Sequence, residues 1–381
     1  MAASLWRDVD SRLHSTASRV VFWIVHFGAM RRLFPLLAFL ALAGLLSAAP
    51  EMEVEPLPEA VSNNAVAIAK PKRGMELFSF MGMGAKKTWD AVTSAAYAID
   101  VGSAKAYSIH SVPGTAGRIG AAAIGVGGRV FLFGGYVLYQ GGGMAIPDLN
   151  IYELSHDQWS RGPDMPVPVG DAVIGIYRDR FIYLIGGRSN KGPVSDVQMF
   201  DLEKNRWTQA TAITGTPVFG HAGGLVGETM LYVDGARQNS AGNSPRFVAS
   251  DECWMGKIDH KNPARIAWTK IAAHPGNARF RIAAGSSDRD GKIYFSGGSD
   301  NPHDFNGIGY DGKLAEPSSV TFAFDVHANK WETLNDNTPN PTMDHRGLLV
   351  THEGLVILGG MEKGQQVTAR VLLLSKESIA K

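Results

Sequence analysis

Short apolar runs that each end in glycine recur along this chain at nearly even intervals. There are six, and the intervals between their last glycines are 53, 52, 48, 63 and 62 residues. The runs span residues 78–82, 130–135, 182–187, 231–235, 293–298 and 356–360. A repeat of about 50 residues with one strand-like run in each is typical of the blades of a β-propeller. The pattern therefore predicts an all-β propeller with six blades.

A second pattern marks three of the repeats, because an aromatic residue precedes a tryptophan by seven positions. The pairs are Tyr152 with Trp159, Phe200 with Trp207, and Phe324 with Trp331. This spacing predicts a third strand, a polar turn, and a fourth strand that begins near the tryptophan. In repeats one and four, we expect the fourth strands to begin at Tyr107 and Trp268.

The glycine pairs and the aromatic-to-tryptophan spacing resemble the kelch-repeat family over roughly residues 50–381. Repeats one and four depart from its pattern: Met83 splits Gly82 from Gly84, and Asp234-Gly235 replaces the glycine pair. The alternative is a β-sandwich with glycine-rich turns, which would not need a fixed period. The resemblance implies a six-bladed kelch β-propeller whose ring is closed.

The sixth repeat lacks a tryptophan-headed fourth strand after its strand at 367–374. Residues 51–58 alternate like an edge strand and end in Leu57-Pro58. We therefore predict that this N-terminal strand completes the last blade and closes the ring. Deletion of residues 50–58 should destabilise the whole propeller.

The first 49 residues are predicted to be a separate N-terminal extension, followed by the propeller at 50–381. Arg31 and Arg32 precede a long apolar run and small residues, which predicts a secretory signal peptide at 30–49. Met30 is then a candidate for the true start. We expect an exported protein, periplasmic or secreted, and an uncleaved leader would act as a membrane anchor.

The balance of charge argues against a nucleic-acid partner. The chain has 37 basic and 36 acidic side chains. Residues 1–49 hold five of the basic and two of the acidic side chains. The predicted mature chain therefore has 32 basic and 34 acidic side chains. Nucleic-acid binding would require a clear basic excess.

No cofactor or metal is predicted. The single cysteine, Cys253, is expected to be a buried small hydrophobe in a strand of blade 4. The chain has no His-x-x-x-His or Cys-x-x-Cys spacing. The kelch resemblance includes secreted copper oxidases, which need two tyrosines, two histidines and a cysteine joined to a tyrosine. No spaced set in this chain matches that constellation.

Function is expected in the loops at one end of the central channel. The links between blades and the connections between second and third strands emerge on the same face of a propeller. The links carry polar residues at 62–64, 118, 170–171, 220–221, 279–281 and 344–346. Several arginines around a funnel would suit an anionic or polyhydroxylated ligand. The alternative is that these groups bond to loop carbonyls or channel water.

Two long insertions, at 236–246 and 299–317, are expected to join this face. The second mixes aromatic residues with Asp, Asn and His, a composition that can stack on a sugar ring and bond to its hydroxyls. The predicted ligand-binding residues are Arg118, His221, Arg246, Arg279, Arg281, His303, Asn306, Tyr310, His345 and Arg346.

A closer resemblance is to exported six-bladed kelch proteins that are N-acetylneuraminate epimerases, or sialic acid mutarotases. It rests on the leader, the Leu-Pro at 57–58, the Gly-His at 220–221 and the Asn-Gly-x-x-Tyr segment at 306–310. The family implies a catalytic glutamate followed by an arginine. Ala236 occupies the nearest glutamate position here, and Arg246 fits the arginine only after an insertion. Asp251 or Glu252 is the alternative base, with Arg246 or Arg281 holding a carboxylate.

The sequence therefore predicts a binding module whose funnel face takes a carbohydrate-like or anionic ligand, or a protein partner. One alternative is a protein-interaction platform built on exposed loops such as 136–146. The other is a sugar mutarotase, for which no catalytic residue is assigned.

Overall fold

In a computed structural model, residues 54–70, 74–242 and 244–376 are described. The predicted leader at 30–49 lies outside these ranges. The described residues form an all-β propeller with six blades, which confirms the predicted fold class. Two single-turn 3₁₀ helices, Trp89–Ala91 and Lys363–Gln365, interrupt the strands. Across the described ranges, no helix has the length and apolar character needed to cross a bilayer.

Each blade is an antiparallel sheet whose strands follow one another in chain order from the axis outwards. Blade 1 comprises Ala65–Ala69, Glu76–Gly84, Val92–Asp100 and Lys105–Ile109. Blade 2 comprises Ala122–Val126, Arg129–Phe133, Leu149–Glu153 and Gln158–Arg161. Blade 3 comprises Val173–Tyr177, Phe181–Ile185, Val197–Asp201 and Arg206–Ala210. Blade 4 comprises Ala222–Val226, Thr229–Val233, Cys253–Ile258 and Ile266–Ile271. Blade 5 comprises Ala283–Ser287, Lys292–Ser296, Thr321–Asp325 and Lys330–Asn335. Blade 6 comprises Leu349–Val350, Gly354–Leu358 and Val371–Ser375.

The aromatic-to-tryptophan pairs face each other across the third and fourth strands, as predicted. Tyr152 is opposite Trp159 and Phe200 is opposite Trp207, with ring centroids 5.0 Å apart in both pairs. Each indole also donates a hydrogen bond to the preceding blade, for example from Trp207 Nε1 to the carbonyl of Pro163 at 3.0 Å. The tryptophan of each pair thus contacts both the neighbouring strand and the preceding blade.

The glycine pairs lie where the second strands end. Gly134 and Gly135 have φ of 54° and 90°, in the left-handed region that favours glycine. A Cβ on Gly134 would lie 2.2 Å from the carbonyl oxygen of Val169, which belongs to the link leading to blade 3. Two consecutive positive φ values occur at this point in all six blades. The glycine repeat therefore marks a bend that brings each blade against the next link.

In blades 1 and 4, the first glycine is replaced by Met81 (φ 54°) and Asp234 (φ 61°). In both cases the next link supplies an arginine that contacts the replacement. Arg118 Nε donates to Met81 Sδ at 3.4 Å, and the main-chain N–H of Arg279 donates to Asp234 Oδ2 at 2.8 Å. His274 Nε2 also lies 2.7 Å from that Asp234 oxygen. The two residues that replace a glycine are thus each held by a specific side-chain contact with the neighbouring segment.

The predicted fourth strand of blade 6 is not confirmed. Of residues 51–58, the structure describes 54–58, and these form no ladder with the strand Val371–Ser375. Instead, the N–H of Leu57 donates to the carbonyl of Ala369 at 2.8 Å, and the Leu57 side chain is buried between blades 1 and 6. This segment joins the two blades by burying apolar surface, since Pro56 and Pro58 lack the N–H groups that a ladder needs.

The connections between second and third strands extend beyond the blades as two-stranded ribbons in blades 2, 3, 4 and 6. Their strands are Tyr136–Tyr139 with Gly142–Ala145, Arg188–Ser189 with Gly192–Pro193, Ala236–Gln238 with Phe247–Ala249, and Met361–Glu362 with Gln366–Val367. Blade 5 has a longer insertion at 299–317 with isolated bridges. Each extension begins with a bridge to the preceding link, as between Phe219 and Ala236. Links and extensions therefore share one side of the propeller, called here the ribbon face.

Candidate functional site

A circle of main-chain hydrogen bonds surrounds the channel at the ribbon face. One residue of each link has a positive φ: Asn63, Gly120, Asp171, Gly220, Arg281 and Asp344. Five of these bonds run from a main-chain N–H to a main-chain carbonyl, with N-to-O distances of 2.7–3.2 Å. The donor and acceptor residues are Asn63 and Asp344, Asp171 and Gly120, Gly220 and Asp171, Arg281 and Gly220, and His345 and Arg281. The Asn63 side-chain oxygen completes the circle by accepting from the N–H of Gly120 at 2.6 Å. The polar residues of the links are thus brought together at the axis.

Four charged side chains of the links form a buried group, the mouth cluster: Asp171, Arg281, Asp344 and Arg346. Arg281 bridges blades 3 and 6, with Nη1 2.8 Å from Asp344 Oδ1 and Nη2 3.2 Å from Asp171 Oδ2. Arg346 Nη1 lies 2.6 Å from Asp171 Oδ1. No side chain of the cluster is more than 6% exposed. Two cations and two anions therefore balance one another inside the protein.

The pKa values of the mouth cluster follow from this pairing. Burial opposes the charge on Arg281, but Asp171 and Asp344 outweigh it and hold the guanidinium pKa above its ordinary value. Burial likewise disfavours the charged form of Asp171, yet Arg281 and Arg346 keep its pKa below the ordinary value. Both groups are therefore ionised at neutral pH, and each serves as the other's counter-ion.

Three predicted ligand-binding histidines are buried and neutral at pH 7. Burial lowers the pKa of His221, His303 and His345 to about 4 in each case. His221 Nε2 lies 2.9 Å from the carbonyl oxygen of Ile185, and His345 Nε2 lies 2.9 Å from Thr342 Oγ1. His303 is fully buried, and its ring centroid is 5.3 Å from that of Phe280. These contacts correspond to the alternative in which polar groups bond within the protein.

The blade 5 insertion packs over the mouth cluster instead of lining an open funnel. Phe305 joins an apolar group with Met83 and Tyr136 of blades 1 and 2. Tyr310 packs on the other side, with its ring centroid 5.0 Å from that of Phe247 in the blade 4 ribbon. Gln365 Nε2 donates to the carbonyl of Ala315 at 2.6 Å and ties the insertion to blade 6. The aromatic residues of the insertion therefore hold a cover in place.

Four predicted site residues lie away from the mouth cluster. Arg118 is buried between blades 1 and 2, where Nη2 donates to Asn150 Oδ1 at 2.7 Å. Its pKa is lowered to about 10, mainly by burial. Arg279 is buried at the contact between blades 4 and 5, Arg246 is exposed on the blade 4 ribbon, and Asn306 caps a turn of the blade 5 insertion. The ten predicted residues therefore do not form one site.

Of the two alternative catalytic bases, Asp251 and Glu252, the second is engaged in structural contacts. Glu252 accepts hydrogen bonds from the N–H of Thr216 at 3.0 Å, Trp254 Nε1 at 3.0 Å and Lys270 Nζ at 3.2 Å. Partial burial opposes its charge, but these donors keep its pKa below the ordinary value. Arg281, the proposed carboxylate holder, is already paired with two aspartates.

Beneath the mouth cluster, the axial channel encloses a cavity of about 260 Å³. Its walls are the first strands of the blades, with small and branched side chains such as Val66, Ile124 and Ile174. His345 and Arg346 lie at the end nearest the mouth cluster, and exposed Asp288 lies at the other. The cavity therefore reaches solvent on the side opposite the ribbon face.

The apolar residues exposed on the ribbon face were not among the predicted site residues. Within the described residues, six large hydrophobic side chains are 40–61% exposed. Five of them lie on connections of the ribbon face and are called here the apolar patch: Trp89, Tyr139, Met144, Ile308 and Leu314. The sixth, Tyr107, lies on the outer strand of blade 1. The sequence had placed the loop at 136–146 and the insertion at 299–317 on this surface, but it had not singled out these apolar side chains.

Two arginines of the ribbon face stack on a buried phenylalanine. Arg188 Cζ lies 5.1 Å from the Phe247 ring centroid, and Arg246 Cζ lies 5.0 Å from it. We call Arg188, Arg246, Phe247 and Tyr310 the arginine site. Arg188 directly follows a glycine pair and was not among the predicted site residues.

The fold and the face define the class of protein: a six-bladed propeller whose strands form a scaffold and whose connections carry the variable surface. The KLHDC2/KLHL20/DRC7 Kelch-repeats domain matches residues 49–235 of this chain. This match, the curated relatives and the structural likeness together support the kelch-repeat family of β-propellers.

Two curated relatives carry the same repeats. Kelch-like protein terF of Aspergillus terreus is 28% identical over 221 residues, which cover 55% of this chain and 46% of that protein. Kelch domain-containing protein 3 of Bos taurus is 24% identical over 208 residues, which cover 50% of this chain and 51% of that protein. The matched region thus spans about half the length of these relatives.

The propeller also resembles the solved structure of YjhT. The TM-score is 0.66 at 16% identity, and the match covers 84% of this chain and 96% of that chain. At this level of identity, the likeness extends to the fold alone.

Proposed function

We propose that this propeller is a binding module that holds a protein partner on its ribbon face. The observation that carries the proposal is the position of the apolar patch. Large apolar side chains exposed together on one face are typical of protein-interaction surfaces. Kelch propellers serve in general as binding modules, and the connections are the part of the fold free to vary.

A carbohydrate-like ligand at the channel mouth has less support. The arginines expected to hold it, Arg281 and Arg346, are paired with Asp171 and Asp344 beneath a packed cover. Sugar mutarotation has less support again, because Ala236 stands at the position where the resemblance implies a glutamate. The apolar run after Arg31 and Arg32 supports an exported protein that meets its partner outside the cytoplasm.

The test compares the full chain with a variant that carries Trp89→Ser, Tyr139→Ser and Met144→Ser. Tyr107→Ser is the matched control, because Tyr107 is a similarly exposed aromatic on the outer strand of blade 1. Each protein is cross-linked in extracts of its source cells, and captured proteins are quantified by mass spectrometry. We expect a set of partners that the triple variant loses and the control keeps.

The proposal fails if the triple variant captures the same proteins as the unaltered chain. It also fails if neutral sugars or sugar acids raise the melting temperature while no partner depends on the patch, since selective binding to the native state raises stability. Denaturation curves of all three proteins check that the substitutions leave the fold intact.

A further inference from the structure

The two guanidinium groups of the arginine site have no carboxylate partner within 4 Å among the described residues, 54–70, 74–242 and 244–376. Both Arg188 and Arg246 are held by the Phe247 ring, which is only 2% exposed. Arg188 also lies over Phe219, with its Cζ 5.5 Å from that ring centroid. Stacking fixes the plane of a guanidinium while its N–H groups stay free at the edge. Both guanidinium groups therefore lie beside the same phenylalanine ring and form no ion pair with a described carboxylate.

Local charge on this part of the ribbon face is positive. The ribbons of blades 2, 3 and 4, at 136–145, 188–193 and 236–249, contain no Asp or Glu. The blade 3 and 4 ribbons also carry Lys191 and Arg237. The nearest buried carboxylates, Asp171 and Asp344, are already balanced by Arg281 and Arg346. The ribbons that carry Arg188 and Arg246 thus have an excess of positive charge, and the blade 5 insertion brings the carboxylate of Asp304 near Tyr310.

Tyr310 adds a neutral donor to the same place. Its ring centroid is 5.0 Å from that of Phe247, and its hydroxyl has no hydrogen-bond partner within the described part of the chain. Burial raises its pKa, against the opposing effect of nearby Arg281 and Arg188, so the phenol keeps its proton at neutral pH. A carboxylate that meets Arg188 and Arg246 would find a third hydrogen-bond donor close by.

We propose that the arginine site receives the carboxylate of an acidic side chain on a segment of the partner protein. This inference rests on the proposed function, because the same face holds the apolar patch. Arg246 is exposed and Arg188 is half-buried, so a small free anion would remain largely hydrated here and bind weakly. A peptide that also buries apolar residues on the patch gains the additional affinity, while the charge pairing selects and orients it.

The experiment selects phage-displayed random 12-residue peptides on the full chain. Selected peptides are then synthesised, and their Kd values are measured by fluorescence polarisation for three variants. Arg188→Gln/Arg246→Gln removes the arginine site, and Trp89→Ser/Tyr139→Ser tests the patch. The matched control is Arg129→Gln/Arg178→Gln, because these arginines also stack on aromatic rings but lie at the turns opposite the ribbon face.

We expect the selected peptides to be enriched in Asp and Glu. Their affinity should fall by roughly tenfold or more in Arg188→Gln/Arg246→Gln, and replacement of their acidic residues by Asn or Gln should produce the same loss. Binding should weaken as salt rises and should be unchanged in the Arg129→Gln/Arg178→Gln control.

Different failures are distinguishable. Peptides without acidic enrichment that depend on Trp89 and Tyr139 would overturn this inference and leave the proposed function standing. Competition by inorganic phosphate or citrate at the affinity of the peptides would overturn it in favour of a small-anion site. If no peptide binds the chain, this inference is contradicted, and the cross-linking comparison decides the proposed function separately.

Discussion

Arg281 and Asp344 lie 63 positions apart in the chain and form a buried ion pair, with 2.8 Å between Nη1 and Oδ1, that joins blade 5 to blade 6 at the axis. Arg281→Met would leave Asp344 and Asp171 with only Arg346 as a counter-ion. Removing one partner of a buried pair costs about 3–5 kcal/mol. We expect a loss of this size in the free energy of unfolding, measured by urea denaturation.

Arg289→Met is the matched control for this prediction. Arg289 is paired with its neighbour Asp290 at the surface, and an exposed pair contributes at most about 1 kcal/mol. If the two variants lose similar stability, the mouth cluster does not stabilise the junction of the blades.

Acidification should destabilise the propeller between pH 6.5 and 4. The pKa of His221, His303 and His345 is about 4 in the folded protein, below the ordinary value of 6.5. The unfolded chain therefore binds more protons in this range, and stability is lost as pH falls. Each histidine contributes a slope of up to about 1.4 kcal/mol per pH unit.

Urea denaturation at several pH values measures that slope. His345→Gln should reduce it, because glutamine can bond to Thr342 without titrating. His156→Gln, at an exposed histidine outside the channel, is the matched control. Equal slopes in His345→Gln and the unaltered chain would show that protonation at His345 is not linked to unfolding.

Asp234 should stabilise blade 4 more than the glycine it replaces. Asp234→Gly would relieve a positive φ but leave His274 Nε2 and the N–H of Arg279 without their acceptor. An unsatisfied buried donor costs about 1–3 kcal/mol. Asp234→Asn keeps an acceptor oxygen and tolerates the same φ. We expect thermal denaturation to rank the unaltered chain first, Asn second and Gly last; a Gly variant as stable as the unaltered chain would contradict this order.

Gly134→Ala and Gly127→Ala separate crowding from backbone strain. Both glycines belong to blade 2, with φ of 54° and 59°. A Cβ would meet nothing within 4 Å at Gly127 but would lie 2.2 Å from the carbonyl oxygen of Val169 at Gly134. Gly127→Ala should cost about 1–2 kcal/mol in the free energy of unfolding. Gly134→Ala should cost at least about 1 kcal/mol more, because the link must move. Equal losses of stability in the two variants would mean that the link around Val169 moves away from the added Cβ at little cost.

The sequence was a good guide to the scaffold. The glycine intervals predicted six blades because the bend after each second strand admits few other residues. The spacing from Tyr152 to Trp159 predicted a hairpin because both residues must face each other across adjacent strands. These constraints act within a single repeat, so they leave a local pattern in the chain.

The candidate site was harder to predict, because it depends on contacts between repeats. Arg281 pairs with Asp171 across 110 residues, and no local spacing shows which blades face each other at the axis. The composition of the 299–317 insertion suggested sugar stacking, yet Phe305 and Tyr310 pack against neighbouring ribbons. The same aromatic residues suit either use, and only the three-dimensional arrangement distinguishes them.

Each extension of the ribbon face is closed at its base by the same pair of hydrogen bonds. In blade 4, the N–H of Phe219 donates to the carbonyl of Ala236 at 3.0 Å, and the reverse bond is 2.9 Å long. In blade 5, Phe280 and Ser299 make the equivalent pair at 2.7 and 3.1 Å. Segments of very different length can therefore be exchanged above an unchanged base. The propeller is suited to loop grafting, because the length of a connection can change while the hydrogen bonds at its base stay the same.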